Sequence, residues 1–313
     1  MTASVLSTMA LLTKTAGQGW LLPEGRLVGV ARSFRPLAQR LLWMIALLAA
    51  QPLPGAELRP STLSAWETYV RLTEQRVAAE LEDGQKFLSS DFLPGSEPLT
   101  TRSLLRSGQV SIRRMKTGGQ NGKEIPVPDG MIHHWLGGIR VPGVSLESLL
   151  QWVQDYDGHA RYFLEVEKSQ LLSREGPEFR IFYRLRRKKV LTVYYNTLHT
   201  VVYRPQDSQR ASSRSFTTKI AELEDPGTAA EKENPVGTDR GFLWRLNSYW
   251  RFQEEDGGVF VECESVSLSR SIPFGLSWLI KGYVESIPRE SLENTLTSIR
   301  NGITPASGAP AKP

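Results

Sequence analysis

Hydrophobic and polar residues alternate most regularly over residues 241–270, and this period of two predicts a long β-hairpin. Asp256 and Gly257 are a preferred pair for a two-residue type I′ turn, so they are placed at the tip. The turn fixes the register, because each residue of one arm then faces one residue of the other. The predicted pairs are Phe252 with Val261, Trp250 with Cys263, Ser248 with Ser265 and, on the opposite face, Arg251 with Glu262.

The same alternation predicts one apolar face for the hairpin. This face holds two tryptophans and consists of Phe242, Trp244, Leu246, Ser248, Trp250 and Phe252 in the first arm, and Val261, Cys263 and Ser265 in the second. Such a face must be covered by another layer of the protein.

Periodicity assigns elements to the rest of the chain. Helices are predicted over residues 61–84 and 145–153, after the turn at 155–158, and from Pro288 at the first helical position to residue 301. Strands are predicted over residues 109–115, 131–141, 163–173, 178–186, 189–204 and 210–224. A run of antiparallel strands followed by one long helix is an α+β order in which the sheet must curl around that helix.

A short apolar run at residues 41–50 follows two arginines and precedes a stretch rich in Pro, Gly and Ala. This combination is typical of a secretory signal peptide, and the run is too short to span a bilayer. The prediction is a signal peptide over residues 35–56, cleaved after Ala56, and a periplasmic or secreted protein. An uncleaved anchor stays open as an alternative. The segment ahead of the run is long for such a leader, so a translation start near Val28 is a further hypothesis.

One stretch of the chain resembles a motif of the START-like (SRPBCC) superfamily, which includes lipid-transfer proteins and polyketide cyclases. The residues that carry the resemblance are Pro142-Gly143-Val144, Leu150, Asp155-Tyr156, His159, Tyr162, Val166 and Ser169, with a departure at Leu164, where the family has proline. The resemblance implies an α+β helix-grip (START-like) fold, a curved antiparallel sheet around a long C-terminal helix. It also implies a cavity between sheet and helix for a lipid or another hydrophobic small molecule.

The domain organisation follows from the resemblance and the composition. Residues 1–56 are predicted to be a signal peptide with an over-long N-terminal extension, 57–130 an N-terminal accessory helix and strand, 131–303 a START-like ligand-binding domain, and 304–313 a disordered tail.

The hairpin register and the implied cavity together define a set of candidate ligand-binding residues. They are Tyr183, Thr192, Tyr194, Trp244, Leu246, Ser248, Trp250, Val261, Ser265, Leu292 and Leu296. Each tryptophan ring buries about 150–250 Å², which is enough either to line a cavity or to fill it. Both interpretations stay open at the level of the sequence.

The net charge of +5 comes mainly from residues 1–56, and the remaining 33 basic and 32 acidic residues leave the body at +1. Because the body is nearly neutral and shows no nucleic-acid-binding motif, nucleic acid is not a predicted partner. A basic hairpin tip at residues 184–189 is either a solvated turn or a contact for anionic lipid headgroups at a membrane surface.

The sequence offers little support for catalysis, and neither a cofactor nor a metal is predicted. Cys263 is the one cysteine, and on the apolar face it is interpreted as a small buried hydrophobe. No nucleophile elbow, phosphate-binding loop or dinucleotide fingerprint occurs. The predicted function is an exported protein that binds a lipid or another hydrophobic small molecule. The alternative is an enzyme similar to polyketide cyclases and aromatases that uses the same cavity. The oligomeric state is not predicted.

Overall fold

The computed structural model describes residues 56–119, 122–188, 192–272 and 277–303, with only the backbone of residues 277–284. These residues belong to one compact unit, Pro54–Pro313. The predicted signal peptide over residues 35–56, apart from its last residue, and the predicted disordered tail over residues 304–313 lie outside the described residues.

The described residues form strands and helices in an order close to the predicted one. The strands are β1 (Ala56–Glu57), β2 (Ser111–Arg114), β3 (Gly130–Pro142), β4 (Val166–Glu175), β5 (Glu178–Lys188), β6 (Thr192–Pro205), β7 (Arg210–Glu224), β8 (Lys232–Glu233), β9 (Thr238–Asp239), β10 (Arg245–Glu254) and β11 (Gly258–Arg270). The helices are α1 (Pro60–Leu81), α2 (Glu97–Arg106), α3 (Leu146–Gln154), α4 (His159–Tyr162) and α5 (Ser277–Ile303).

Nine of these strands form one sheet with the order β2-β3-β11-β10-β7-β6-β5-β4, and β8 pairs with β7 at its side. Every pairing in the sheet is antiparallel. Helix α5 packs against β3 and β11. The α+β class and the helix-grip arrangement of a large antiparallel sheet with a C-terminal helix are therefore confirmed.

The hairpin of β10 and β11 has the register that the sequence predicts. Trp250 lies opposite Cys263, and the other three predicted pairs are also present. Asp256 has a φ of 53° and Gly257 a φ of 69°, the left-handed values that both central residues of a type I′ turn require. Local turn chemistry is thus sufficient to fix the centre of the sheet.

Two helices differ from their predictions. Helix α5 begins at Ser277 and carries Pro288 inside it, whereas the sequence places Pro288 at the first helical position. Proline inside a helix removes one backbone hydrogen bond, and here α5 continues through it to Ile303. For α2 the sequence predicts no more than a short helical turn at residues 102–106, whereas the helix begins at Glu97 and carries Pro98 in its first turn, where proline is tolerated.

The sheet has two covered faces, defined here by the helices that pack on them. The inner face is the side that meets α3 and α5, and the outer face is the side that meets α1 and α2. Helix α1 buries Trp66, Tyr69 and Val77 against Val266 and Leu268 of β11 on the outer face. Leu105 of α2 joins Phe260 on the same side.

A buried polar chain fastens α1 to the outer face. The Thr117 N–H donates to the Tyr69 hydroxyl oxygen at 2.9 Å, and the Tyr69 hydroxyl meets His134 Nδ1 at 2.8 Å. His134 Nε2 lies 2.6 Å from Glu264 Oε1, which also accepts from Arg76 of α1. Since Tyr69, His134 and Glu264 are buried, these bonds replace water contacts that folding removes.

Candidate ligand-binding face

The pairing of strands arranges the inner face in rows that cross the sheet. One row runs through Ser215, Ser248, Ser265 and Trp135, on the four neighbouring strands β7, β10, β11 and β3. The next row runs through Ser213, Trp250, Cys263 and Gly137 on the same strands. Side chains of directly paired residues lie on the same face of a sheet, so each row is a continuous strip of surface.

One end of the inner face is filled by helices α3 and α5. Its buried cluster contains Ile139, Val141, Leu149, Phe252, Val259, Val261, Cys263, Leu292, Leu296 and Ile299. Gly137 lets α5 come close, because a Cβ there would lie 2.6 Å from Leu296 Cδ1 and 2.9 Å from Leu292 Cδ2. At this end the helix and the sheet are in direct contact.

The middle of the inner face is less completely covered. Trp250, Trp135, Ser248 and Ser265 are only partly buried, although they neighbour fully buried residues in the same strands. The indole of Trp250 is stacked on Phe252 with the ring centroids 6.1 Å apart, and its Nε1–H donates to Ser248 Oγ at 3.0 Å. The polar edge of this ring is therefore satisfied, and part of its apolar surface is accessible.

A second cluster, of aromatic and polar side chains, lies on strands β5 and β6 and helices α3 and α4, across the sheet from β3 and β11. It forms one wall of the inner face. His159 Nε2 donates to the Val153 carbonyl at 3.1 Å, so its Nδ1 is the acceptor for the Tyr183 hydroxyl at 2.8 Å. Tyr156 and Tyr203 share a hydroxyl contact of 2.8 Å. This wall contains Tyr156 and His159 of the motif that resembles START-like proteins, and both serve to hold it together.

Burial keeps two histidines and two tyrosines of the inner face neutral. Loss of solvent lowers the pKa of His199 to about 4, and burial likewise lowers the pKa of His159 to about 4. Burial raises the pKa of Tyr203 to about 12 and that of Tyr183 well above its ordinary value. At neutral pH these residues offer uncharged donors and acceptors.

Three charged side chains of the inner face, Arg114, Arg187 and Glu222, form ion pairs. Arg114 lies 3.3 Å from Glu285 of α5, and Arg187 pairs with Glu165 and donates to the Ile287 carbonyl at 2.6 Å. Glu222 pairs with Arg240. A ligand on the middle of this face would therefore meet hydroxyl, imidazole and aromatic groups rather than an unpaired charge.

The candidate residues named from the sequence fall into three groups. Those on the inner face are Tyr183, Leu246, Ser248, Trp250, Val261 and Ser265. Leu292 and Leu296 come from α5 and are packed into the filled end, with exposed fractions of 4% and 0%. The others are Thr192, Tyr194 and Trp244, which lie elsewhere.

The placement of Trp244 on the face of Trp250 is wrong. Strand β10 begins at Arg245, so the alternation that fixes Trp250 does not extend to Trp244. Trp244 packs in the cluster of Trp66 and Tyr69, and its Nε1–H donates to Asp239 Oδ1 at 3.2 Å. It belongs to the contact with helix α1.

The placement of Thr192 and Tyr194 on the inner face is also wrong. Strand β6 buries Val193 and Tyr195, together with Thr197 and His199, toward the inner side, so the even-numbered residues face the other way. Thr192 is exposed and Tyr194 is only partly buried. The register of β6 with β5 sets this alternation, and the sequence of β6 alone does not.

Several residues of the inner face are not among those predicted from the sequence. Trp135, Ser215, Thr217 and His199 reach it through pairings between strands distant in the chain. The signal available in the sequence was the alternation in residues 131–141 and 210–224, but only the sheet order shows that these faces join. Cys263 is buried on the inner face as expected.

The residues that the structure describes lack two features that define other classes of protein. No group of three or more His, Cys, Asp or Glu side chains in these ranges is placed to hold a metal ion. None of the helices in the described ranges combines the length and the apolar character needed to cross a membrane.

No family model and no curated protein matches this sequence. Part of the chain is similar to solved structures. A protein of Thermus thermophilus is 16% identical with a TM-score of 0.39, over 57% of this chain and 99% of its own. A STAR-related lipid transfer protein fragment from Xanthomonas axonopodis is 16% identical with a TM-score of 0.40, over 61% and 98%. The Zhui aromatase/cyclase from Streptomyces sp. R1128 is 11% identical with a TM-score of 0.39, over 57% and 100%.

Proposed function

We propose that this protein binds a hydrophobic small molecule or lipid between the inner face of its sheet and helix α5. The observation that carries the proposal is the partial exposure of Trp250 and Trp135 beside a buried apolar cluster that includes Ile139, Phe252 and Val261. Apolar surface gains about 25 cal/mol for each Å² removed from water, so a ligand that covers these rings is favoured.

Binding without covalent chemistry is the better supported of the two predicted functions. An acid or base works best when its pKa lies near the working pH. On the inner face burial moves the histidine pKa values down, with that of His199 at about 4, and the tyrosine pKa values up, with that of Tyr203 at about 12. These groups are suited to donate and accept hydrogen bonds in a fixed geometry.

The test is a titration with the apolar fluorescent probe 1-N-phenylnaphthylamine. Wild-type protein should bind the probe, and bound probe should raise the melting temperature by linkage. Trp250→Ala should weaken binding and lose less stability than the about 3–5 kcal/mol expected for a fully packed ring.

Trp244→Ala is the matched control, because Trp244 is buried on the outer face with 2% exposure. It should lose stability and keep its probe affinity at a temperature where it remains folded. Equal affinity of wild type and Trp250→Ala would place the ligand elsewhere. Absence of any probe binding to the wild type would argue against the function itself. In a separate experiment, native mass spectrometry of protein purified from its own host would identify a retained ligand.

We further propose that the protein is exported and acts in the periplasm or outside the cell. The support is the apolar run at residues 41–50 with its basic flank. N-terminal sequencing of the native protein should find the mature chain starting close to residue 57. A chain that retains residues 1–40 in the cytoplasm would contradict export.

Contact with a membrane surface is a proposal for the hairpin of β5 and β6. Arg184 and Arg187 are neutralised by Glu231 and Glu165, whereas Arg186 and Lys188 are exposed. We expect wild-type protein to sediment with vesicles of phosphatidylglycerol more than with phosphatidylcholine, and the double change Arg186→Ala, Lys188→Ala to remove the difference. Equal sedimentation of both proteins would contradict this contact.

A further inference from the structure

The inner face carries a line of hydroxyl groups at its centre. Ser215, Ser248 and Ser265 are directly paired across strands β7, β10 and β11, and all three are partly buried on the same face. Neighbouring strands are about 4.8 Å apart, so the three hydroxyls span about 10 Å.

We propose that Ser215, Ser248 and Ser265 form a hydrogen-bonding row that selects a neutral ligand with hydroxyl, carbonyl or amide groups over a plain hydrocarbon. This inference rests on the proposed function of the inner face and specifies the chemical class of its ligand. It also assigns the determinant of specificity to three residues, of which only two were found from the sequence.

The hydrogen-bonding state of the row supports a role toward a ligand. Ser248 Oγ accepts from Trp250 Nε1, so its own hydrogen is available to donate away from the ring. For Ser215 and Ser265 no side-chain hydrogen bond occurs with any other described residue. A hydroxyl that is partly removed from water favours a partner, and here that partner is either a ligand atom or bound water.

The surroundings of the row favour an uncharged ligand with a ring. Trp135 continues the row on β3, and Trp250 lies beside it on β10, so two indoles border the hydroxyls. On strands β6 and β7, next to the row, His199 lies opposite Thr217 in the strand register. Burial keeps its imidazole neutral, with a pKa of about 4. Arg114 at the far end is paired with Glu285. A charged headgroup placed on the row would lose its hydration without gaining a counter-ion.

The test compares two probes that share a carbon skeleton, naphthalene and 2,6-dihydroxynaphthalene. Affinities are measured by quenching of tryptophan fluorescence for the wild type and for the triple variant Ser215→Ala, Ser248→Ala, Ser265→Ala. The wild type should bind the diol at least about ten-fold more tightly than the hydrocarbon. The reason is that naphthalene would leave the serine hydroxyls without a hydrogen-bond partner, whereas the diol supplies one. The triple variant should lose this preference and keep its affinity for naphthalene.

Ser212→Ala is the matched control, since Ser212 lies on the same strand, three residues before Ser215, but on the outer face, where its Oγ accepts from Gln206 Nε2 at 3.2 Å. It should keep the preference for the diol. The three single variants identify the contributing hydroxyls should the triple variant fail to fold.

Each result decides one of the two proposals. Equal preference for the diol in the wild type and the triple variant would overturn the proposal that the serine row selects the ligand. The same conclusion would follow if the wild type bound both probes with the same affinity, because the serines would then hold only water. In both cases binding of naphthalene would leave the apolar site standing. A wild type that binds neither probe would overturn the proposed function, and the row with it.

Discussion

The close contact between helix α5 and strand β3 depends on the absence of a side chain at Gly137. Adding one methyl group there, in Gly137→Ala, tests this contact. In Gly137→Ala the new Cβ would lie 2.6 Å from Leu296 Cδ1, 2.8 Å from Ile112 Cδ1 and 2.9 Å from Leu292 Cδ2. Leu296 is fully buried and Leu292 is 4% exposed, so neither side chain has free space to move into. The helix or the strand must shift.

The magnitude follows from two opposing effects. Overpacking a well-packed core costs about 1–3 kcal/mol. Replacing glycine within a strand by alanine regains about 0.5–1 kcal/mol, because the unfolded chain becomes less flexible. We expect Gly137→Ala to lose on the order of 1–2 kcal/mol of unfolding free energy.

Gly138→Ala is a control on the adjacent residue of β3. Its Cβ would face the outer side, 3.3 Å from Leu105 Cδ1 and 3.4 Å from Glu262 Cγ, which are tight but tolerable contacts. Both variants gain the same backbone benefit, so the difference between them isolates the cost of overpacking. We expect Gly138→Ala to be near the wild type in stability.

Urea unfolding followed by circular dichroism measures both variants. The midpoint should fall for Gly137→Ala with an unchanged slope, which indicates a change in stability rather than in the unfolded state. A Gly137→Ala protein as stable as Gly138→Ala would refute the argument, because α5 would then not be held against β3 as described. Probe binding should change in parallel with the midpoint if α5 forms the roof of the ligand site.

Two further predictions concern the outer face. Burial raises the pKa of Glu262 to about 7 although its carboxylate accepts the Ser90 N–H at 3.1 Å, so the folded state holds its proton more tightly than the unfolded state. Stability should therefore fall by on the order of 2–3 kcal/mol between pH 4.5 and 7, and Glu262→Gln should lack that slope in urea titrations at each pH. An unchanged slope would assign the effect to another group. Tyr69→Phe removes the hydroxyl that contacts His134 and Thr117 and should lower the free energy of unfolding by about 1–3 kcal/mol. Tyr162→Phe at an exposed site should lower it by almost nothing. Equal losses of stability in a thermal unfolding comparison would contradict the role of the buried polar chain.

The sequence determined the elements whose signals are local. The pair Asp256-Gly257 and the alternation on either side of it specified the register from Ser248 to Ser265, and the structure confirms it. The spacing of Leu292, Leu296 and Ile299 in the last helix has a period near 3.6, which places them on one face, and all three are buried.

Only the tertiary structure decided where those faces meet. Trp244 and Trp250 have the same parity in the sequence, yet they lie in different clusters because β10 starts between them. The serine row joins residues 33 positions apart, from Ser215 to Ser248, through the pairing of β7 with β10. Pairing between strands distant in the chain depends on the packing of the whole sheet, and no short-range pattern encodes it. For that reason the hairpin was predictable from 30 residues of sequence, whereas the candidate site, built from strands distant in the chain together with α5, was predicted only in part.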